Sequence, residues 1–397
     1  LGAKEDFIFW QIVNYFLVEK KYHIISMAQD QSEIWLENFS EKTHPVVRLK
    51  RKDIDWSNWV RRDLEITVHN GLRVKKAFYR RNLHILNIYV SPFPPVDEGN
   101  VPIEGEFPFA KEKLSLQSLL INGADLPRSL HKLSQTLELE QWPYPMKEEY
   151  DPMEVEAFKG YLLHKALTEA KKEKGLLQRA TPIFTYIFLG LQVLLFLLME
   201  LYGLGYGGSQ NLFVLDLFGA KINGRILAGE WWRFITPMFL HIGFFHLFMN
   251  SLSLYYLGTT VERIYGNGRF LFIYLFSGFF GTLASFIFTV NPSAGASGAI
   301  FGCFGALVYF GIRKPGTFQR MAGSNIIGLL IFNLVLGFIV PTIDNAGHVG
   351  GLVGGFLASC IMDLPKTKNW KTQIPALIFT IILTLFALYY GFNIANA

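Results

Sequence analysis

Hydrophobic and polar positions follow two regimes along this chain, and the change comes near residue 180. Before it, apolar residues recur with the periods of secondary structure. Phe7, Ile8, Ile12, Val13, Phe16 and Leu17 are spaced as on one helix face, and residues 33 to 38 and 46 to 50 alternate as two strands of a hairpin. Residues 55 to 78 read as a charged amphipathic helix, and the run 83 to 90 as a strand. The pattern predicts a small α+β domain over residues 1–92. A proline-rich loop then runs from Ser91 to about Phe107. Residues 111 to 121, 130 to 139 and 154 to 179 read as helices, giving a helical segment and linker over residues 93–180. The last of them is expected to run on through Thr181 and Pro182, as cap and first-turn proline of the next helix.

After residue 180 the periodicity gives way to long apolar runs. Seven spans are readable, at about 182–202, 243–261, 270–290, 297–312, 323–341, 346–362 and 373–393, several of them short and glycine-rich as buried bundle helices can be. They divide into a six-span core over residues 181–363 and a seventh helix over 364–397. Between the first two spans lie about forty residues containing Trp231, Trp232 and Arg233, expected at the membrane interface, where indole rings settle.

Charge sharpens the division. Residues 1–180 carry 26 Lys+Arg and 26 Asp+Glu, the remainder 11 and 6, so the formal net charge of +5 lies wholly in the apolar part. That balance makes the basic cluster Arg73, Lys75, Lys76, Arg80 and Arg81 a solvated helix face, with no nucleic-acid partner expected. No charged-then-apolar leader follows Leu1, so no cleaved signal peptide is expected. Basic residues follow the second span (Arg263, Arg269), the fourth (Arg313, Lys314, Arg320) and the sixth (Lys366, Lys368, Lys371), whereas the loops after the third and fifth have none. Even-numbered spans are therefore expected to end in the cytoplasm, with residues 1–180 on the same side and the C-terminus outside.

This parity places the unusual polar residues at one depth. Spans two, four and six all start at the outer face, and near those starts lie His241, His246 and Asn250, then Ser297, then His348. Ser297 sits among Gly295, Ala296, Gly298, Ala299, Gly302, Gly305 and Ala306, a stretch bare enough for neighbouring helices to approach closely. A serine is a poor nucleophile without a base, and His348 is the best candidate for one. Gly351 and Gly355 would let its helix press against Gly298 and Gly302. His246 and Asn250, four residues apart on one helix face, can donate to an oxyanion together with the Ser297 amide. Asp344 is read as a loop residue, and Cys303 and Cys360 as inert packing. With no His-Glu-x-x-His and only Glu200, at the outer rim of span one, as an acid within a span, no metal or cofactor is expected. Residues 1–180 show no catalytic motif: His23, His44, His69, His84, His131 and His164 lack metal-ligand spacing, and a regulatory partner or ligand of unknown kind is expected there.

Gly295-Ala296-Ser297-Gly298, His348 with Gly351 and Gly355, His241 to Asn250, and Trp232-Arg233 together resemble the rhomboid family of intramembrane serine proteases, over about residues 180–393. The resemblance implies an α-helical polytopic membrane protein with a rhomboid-like six-helix core and a C-terminal seventh helix, preceded by a soluble α+β domain. It also implies a Ser297–His348 dyad without an acid, an oxyanion hole of His246, Asn250 and the Ser297 amide, and a loop-stabilising role for Arg233, with His241 in support. Transmembrane proteins are the implied substrates, and the cell membrane the implied location. Phe301 departs from the tyrosine that many bacterial members stack on the histidine; the stack can survive the change, a phenolic hydrogen bond cannot. The soluble part is similar to the N-terminal extension of Bacillus-type members. Those often carry tetratricopeptide repeats after the seventh span, which are not legible here. The alternatives are a catalytically silent relative that binds transmembrane clients, and a transporter, for which the expected internal repeat is missing.

Overall fold

The computed structural model describes residues 2–78, 80–97, 103–109, 111–145, 147, 150–321, 323–367 and 369–395, so Lys368, counted above among the basic residues, lies outside it. The chain forms two compact units, Leu1–Lys172 and Glu173–Ala397.

The first unit is built on a six-stranded sheet. Helix α1 (Ala3–Asn14) precedes β1 (His23–Met27), β2 (Glu33–Glu37) and β3 (Val46–Arg51), then come α2 (Ser57–Ala77), β4 (Leu83–Ser91), β5 (Gly105–Phe109), β6 (Leu114–Asn122) and α3 (Leu126–Thr136). The strand order is β1-β2-β3-β4-β6-β5. β2 and β3 form the expected antiparallel hairpin, and α2 carries the chain across to β4, parallel to β3. The helix expected over residues 111 to 121 is instead strand β6. Burial alternates with period two from Leu114 to Ser118, and the strand is fixed on both sides, parallel to β4 and antiparallel to β5. The sheet thus continues past residue 92, and the compact unit runs to Lys172.

Leu86, Ile88 and Val90 of β4 face α1 and α3, while Ile85 and Tyr89 face α2. The α2 face also holds a buried polar network. Arg48 bonds Glu33 at 2.9 Å, Asp63 at 2.7 Å and Asn87 at 2.8 Å, while Lys50 reaches Asp63 at 2.6 Å. Burial alone would raise the Glu33 carboxyl, but its bonds from Arg48 and Lys50 outweigh that and hold it at about 2. Its folded value lies below its unfolded one, so its contribution to stability is present above the usual carboxylate range and lost as pH falls toward 2. Unfolding of this unit followed against pH should show that loss, and Glu33→Gln should flatten it. Arg48→Met, which strips the buried Asp63 of its main partner, should cost about 3 kcal/mol or more; a smaller change in a denaturant titration would mean that Lys50 alone suffices.

The second unit is helical. α4 (Pro152–Leu177) ends inside it, followed by α5 (Phe184–Tyr202), the short α6 (Leu212–Phe218) and α7 (Asn223–Leu227), and α8 (Phe244–Ser253), which passes through a π turn (Leu254–Gly258) into α9 (Thr259–Tyr265). Then come α10 (Asn267–Phe288), α11 (Ser297–Arg313), α12 (Pro315–Arg320), α13 (Gly323–Ile339), α14 (Asn345–Met362) and α15 (Trp370–Ala395). Helical segments occupy all seven expected spans. Four (α5, α10, α14 and most of α15) are single helices long and apolar enough to cross a membrane, while α11 and α13 are shorter apolar helices. Thr181 and Pro182 do not begin a helix. α4 stops at Leu177 and α5 starts at Phe184, its first amides capped from elsewhere: the fully buried Glu262 carboxylate accepts from the N–H groups of Ile183, Phe184 and Thr185. A carboxylate is favoured there because it meets unpaired donors and the positive end of the helix dipole. Since α9 continues the second span, Glu262 joins Glu200 as an acid within the helical spans.

α14 wedges between α10 and α11 because its glycines remove side chains on two faces. A β-carbon on Gly351 would lie 1.9 Å from the Gly298 carbonyl oxygen of α11, and one on Gly350 would lie 2.6 Å from the Phe280 carbonyl oxygen of α10. No side chain fits at either contact.

Candidate active site

Ser297 is the first residue of α11. The helix does not extend back to Gly295: residues 291 to 296 form an irregular strap, with Gly295 at φ +148°, a conformation that favours glycine. Space makes the same demand. A β-carbon on Gly295 would lie 2.7 Å from Cε1 and 2.9 Å from Nε2 of His246, and 3.8 Å from Ser297 Oγ. The His246 ring therefore covers the strap beside the serine hydroxyl.

The tautomer of His246 follows from its other nitrogen. Nδ1 lies 3.4 Å from the Ile242 amide, positioned to accept from it. The ring proton then belongs on Nε2, the nitrogen that faces Gly295. Asn250, one turn along α8, donates from its side-chain amide to the His246 carbonyl at 2.9 Å, which leaves one amide proton for another acceptor. His241 is fully buried and meets the His246 ring edge to face at 5.3 Å, limiting its tilt.

His348 lies in the first turn of α14, where Asp344 caps the helix through Oδ1 to the Gly347 amide at 2.9 Å. Its ring rests flat on Phe301, centroids 4.2 Å apart and planes 14° apart, and Phe301 is one turn below Ser297 on α11. Among the described residues Nδ1 of His348, which is buried, meets no hydrogen-bond partner, so none of their carboxylates holds it. Among the described residues no hydrogen bond joins Ser297 to His348, as is common where a catalytic contact tightens only on substrate binding. Gly298, Gly351 and Gly355 lie at the α11–α14 contact, Gly355 with a β-carbon position 2.1 Å from the Gly302 carbonyl oxygen. A cleft lined by Ser297, Gly295, Gly298, Ser293, Met238 and Asp344 opens beside the serine.

Arg233 is buried in the connection between α5 and α8, where it holds that segment together. It donates to Ala220 O at 2.7 Å, to Asp216 O at 2.9 Å and to the Glu230 carboxylate at 2.6 Å. Lys221, in the same connection, lies outside every motif that the sequence presents. Its backbone pairs with Ser293 in both directions, and its amine, fully buried, donates to the Thr289 carbonyl at 2.7 Å and the Asn291 carbonyl at 3.1 Å. It thus ties the strap before Ser297 to the end of α10. The signal available was one lysine in an otherwise apolar stretch, Gly219-Ala220-Lys221-Ile222.

The Rhomboid domain family matches residues 228–365, a range that includes Arg233, His241, His246, Asn250, Ser297 and His348 but not the tether residues Asp216, Ala220 and Lys221. The chain is 40% identical over 389 residues to Rhomboid protease GluP of Bacillus subtilis (strain 168), covering 98% of this chain and 75% of that one. It is 35% identical over 196 residues to the putative rhomboid protease YdcA of the same organism, covering 48% and 94%. RHOMBOID-like protein 9, chloroplastic, of Arabidopsis thaliana is 38% identical over 157 residues, covering 38% and 36%. Because the first similarity extends through both compact units and not only the spans, the chain belongs to the Bacillus-type rhomboid family of serine proteases.

Proposed function

We propose that this multi-pass membrane protease cuts by a Ser297–His348 dyad without a third acid. The observation that carries the reading is the seating of the His348 ring on Phe301, one turn below Ser297 on the same helix. Nε2 of His348 takes the serine proton as Oγ attacks the substrate carbonyl, and returns it to the leaving amine as the acyl-enzyme forms. A water then attacks the ester with the same base. Negative charge on the carbonyl oxygen is met by His246 Nε2–H, the Ser297 amide and the free proton of Asn250. Asp344 caps its own helix and takes no part. A fluorophosphonate probe should label the protein at Ser297; labelling at another serine would overturn the assignment.

His246→Ala should lower kcat by about 10²–10³ with little change in KM, since its donor matters chiefly once the oxyanion exists. A rise in KM at constant kcat would make His246 a substrate-binding residue instead.

The distribution of Lys and Arg supports a cell-membrane orientation with residues 1–180 in the cytoplasm and the site opening outward. An intact transmembrane helix hides its carbonyls in its own hydrogen bonds, and unwinding it in lipid costs several kcal/mol for each group left unpaired. A polar site near the outer face relieves that cost. Cleavage is therefore expected within or just above the outer third of a transmembrane substrate, beside Gly or Ala, releasing the outer portion. Mass spectrometry of the products checks this, and a cut in the cytoplasmic half would overturn both topology and mechanism.

A further inference from the structure

At the end of α11 remote from Ser297, the helices leave a cavity of about 170 Å³ lined by the last turn of α4 and the residues just after it, the last turns of α9 and α11, and the link from α14 to α15. Its walls divide by chemistry. Leu176, Ile264, Phe310, Leu364 and Pro365 supply apolar surface, while Arg179, Lys314 and Lys366 supply three cations.

Acids on the surrounding elements are already engaged. Asp363, fully buried, accepts from Tyr309 Oη at 2.9 Å and the Leu364 amide at 2.7 Å, and pairs with Arg313 at 3.3 Å. Glu262 caps α5, and Glu173 pairs with Arg320 at 2.5 Å. Among the described residues none of the three lining cations makes an ion pair. Lys366 moreover occupies a left-handed backbone position, φ +63°, uncommon for a lysine.

Water satisfies the cations and wastes the apolar wall, a free alkyl chain does the reverse, and a small inorganic anion leaves the wall wet. An amphiphile with an anionic head satisfies both. We propose that this cavity binds one anionic phospholipid, its phosphate among Arg179, Lys314 and Lys366 and the root of its acyl chains along Leu176, Ile264 and Phe310. Basic pockets between transmembrane helices where they leave the bilayer are the setting in which such headgroups are held. The occupied cavity would join the ends of α4, α11 and α14 through one ligand, at the end of the unit away from the chemistry.

The test uses the full chain in detergent, with native mass spectrometry and thermal unfolding after addition of phosphatidylglycerol, of phosphatidylcholine with the same acyl chains, or of inorganic phosphate. One retained phosphatidylglycerol per chain is expected, with a raised unfolding temperature, and neither of the other additions should reproduce it. The double variant Lys314→Gln/Lys366→Gln should lower phosphatidylglycerol affinity by about tenfold or more, and Lys314→Arg/Lys366→Arg should keep it. Equal retention of phosphatidylcholine would show an apolar groove that does not read the headgroup. Equal protection by inorganic phosphate would show a free-anion site, and unchanged affinity in the Gln variant would show that the lipid sits elsewhere; each of these overturns the proposal.

Discussion

Ser297→Ala, and separately His348→Ala, should each reduce peptide-bond cleavage to background, a loss of about 10⁴–10⁶, and the double variant should fall no further. Nucleophile and base act as one unit: the serine hydroxyl without a base is protonated and inert, and the imidazole without the serine has nothing to activate. A substitute is not at hand. His241 is enclosed by its packing against His246, and His246 presents a donor rather than an acceptor toward Gly295. Stability should separate the two variants. Ser297 loses one hydroxyl at a half-exposed helix start, whereas His348→Ala empties the space above Phe301 and should lower the unfolding temperature. His348→Phe, which keeps a ring on that stack, should recover part of the stability and none of the activity. The measurement is single-turnover cleavage of a single-span substrate alongside thermal unfolding. Turnover within tenfold of the native protein in either alanine variant would remove the dyad.

Much of the helix and strand arrangement is legible in the sequence because its signals are local. Seven apolar runs predict seven helical segments to within a few residues, and the alternation at residues 33 to 38 and 46 to 50 predicts the β2–β3 hairpin. The small residues around Ser297 and the pair Gly351 and Gly355 pointed to a close helix contact, and α11 and α14 make that contact through backbone. What escaped depends on partners distant in sequence. Residues 114 to 117 alternate as a strand, but Ser118 breaks the alternation and the run 119 to 121 is apolar throughout, so only pairing with both β4 and β5 decides the matter. Thr181 and Pro182 carry the local signature of a helix start, yet Glu262, far along the chain, supplies the cap and moves the start to Phe184. Lys221 is the sharpest case. A single lysine has no period and no motif, and its role appears only once the strap before Ser297 is folded against it.

The glycine contact sets the second large expected effect, because it fixes the distance between the two helices that carry the proposed dyad. Gly351→Ala places a methyl group where the Gly298 carbonyl oxygen would be 1.9 Å away, its carbon 2.6 Å and the Gly298 α-carbon 2.9 Å. All three are backbone atoms of α11, so no side chain can rotate aside, and α14 must withdraw or tilt. Overpacking of this kind costs typically about 1–3 kcal/mol, and more where backbone has to move. The catalytic consequence should exceed the loss of stability. Gly351 is three residues beyond His348, just under one helical turn, so any withdrawal of α14 carries the imidazole with it, and a misplacement of about 1 Å can cost 10²-fold in rate. Gly351→Ala should therefore keep most of its helicity, unfold at lower temperature and lose at least about 10² in kcat. Gly328→Ala in α13, where the added carbon meets nothing within 4 Å, is the matched control and should leave both stability and turnover near those of the native chain. If Gly351→Ala cleaved at the native rate, the position of His348 would not depend on the α11–α14 contact, and the geometric basis of the dyad would have to be sought elsewhere.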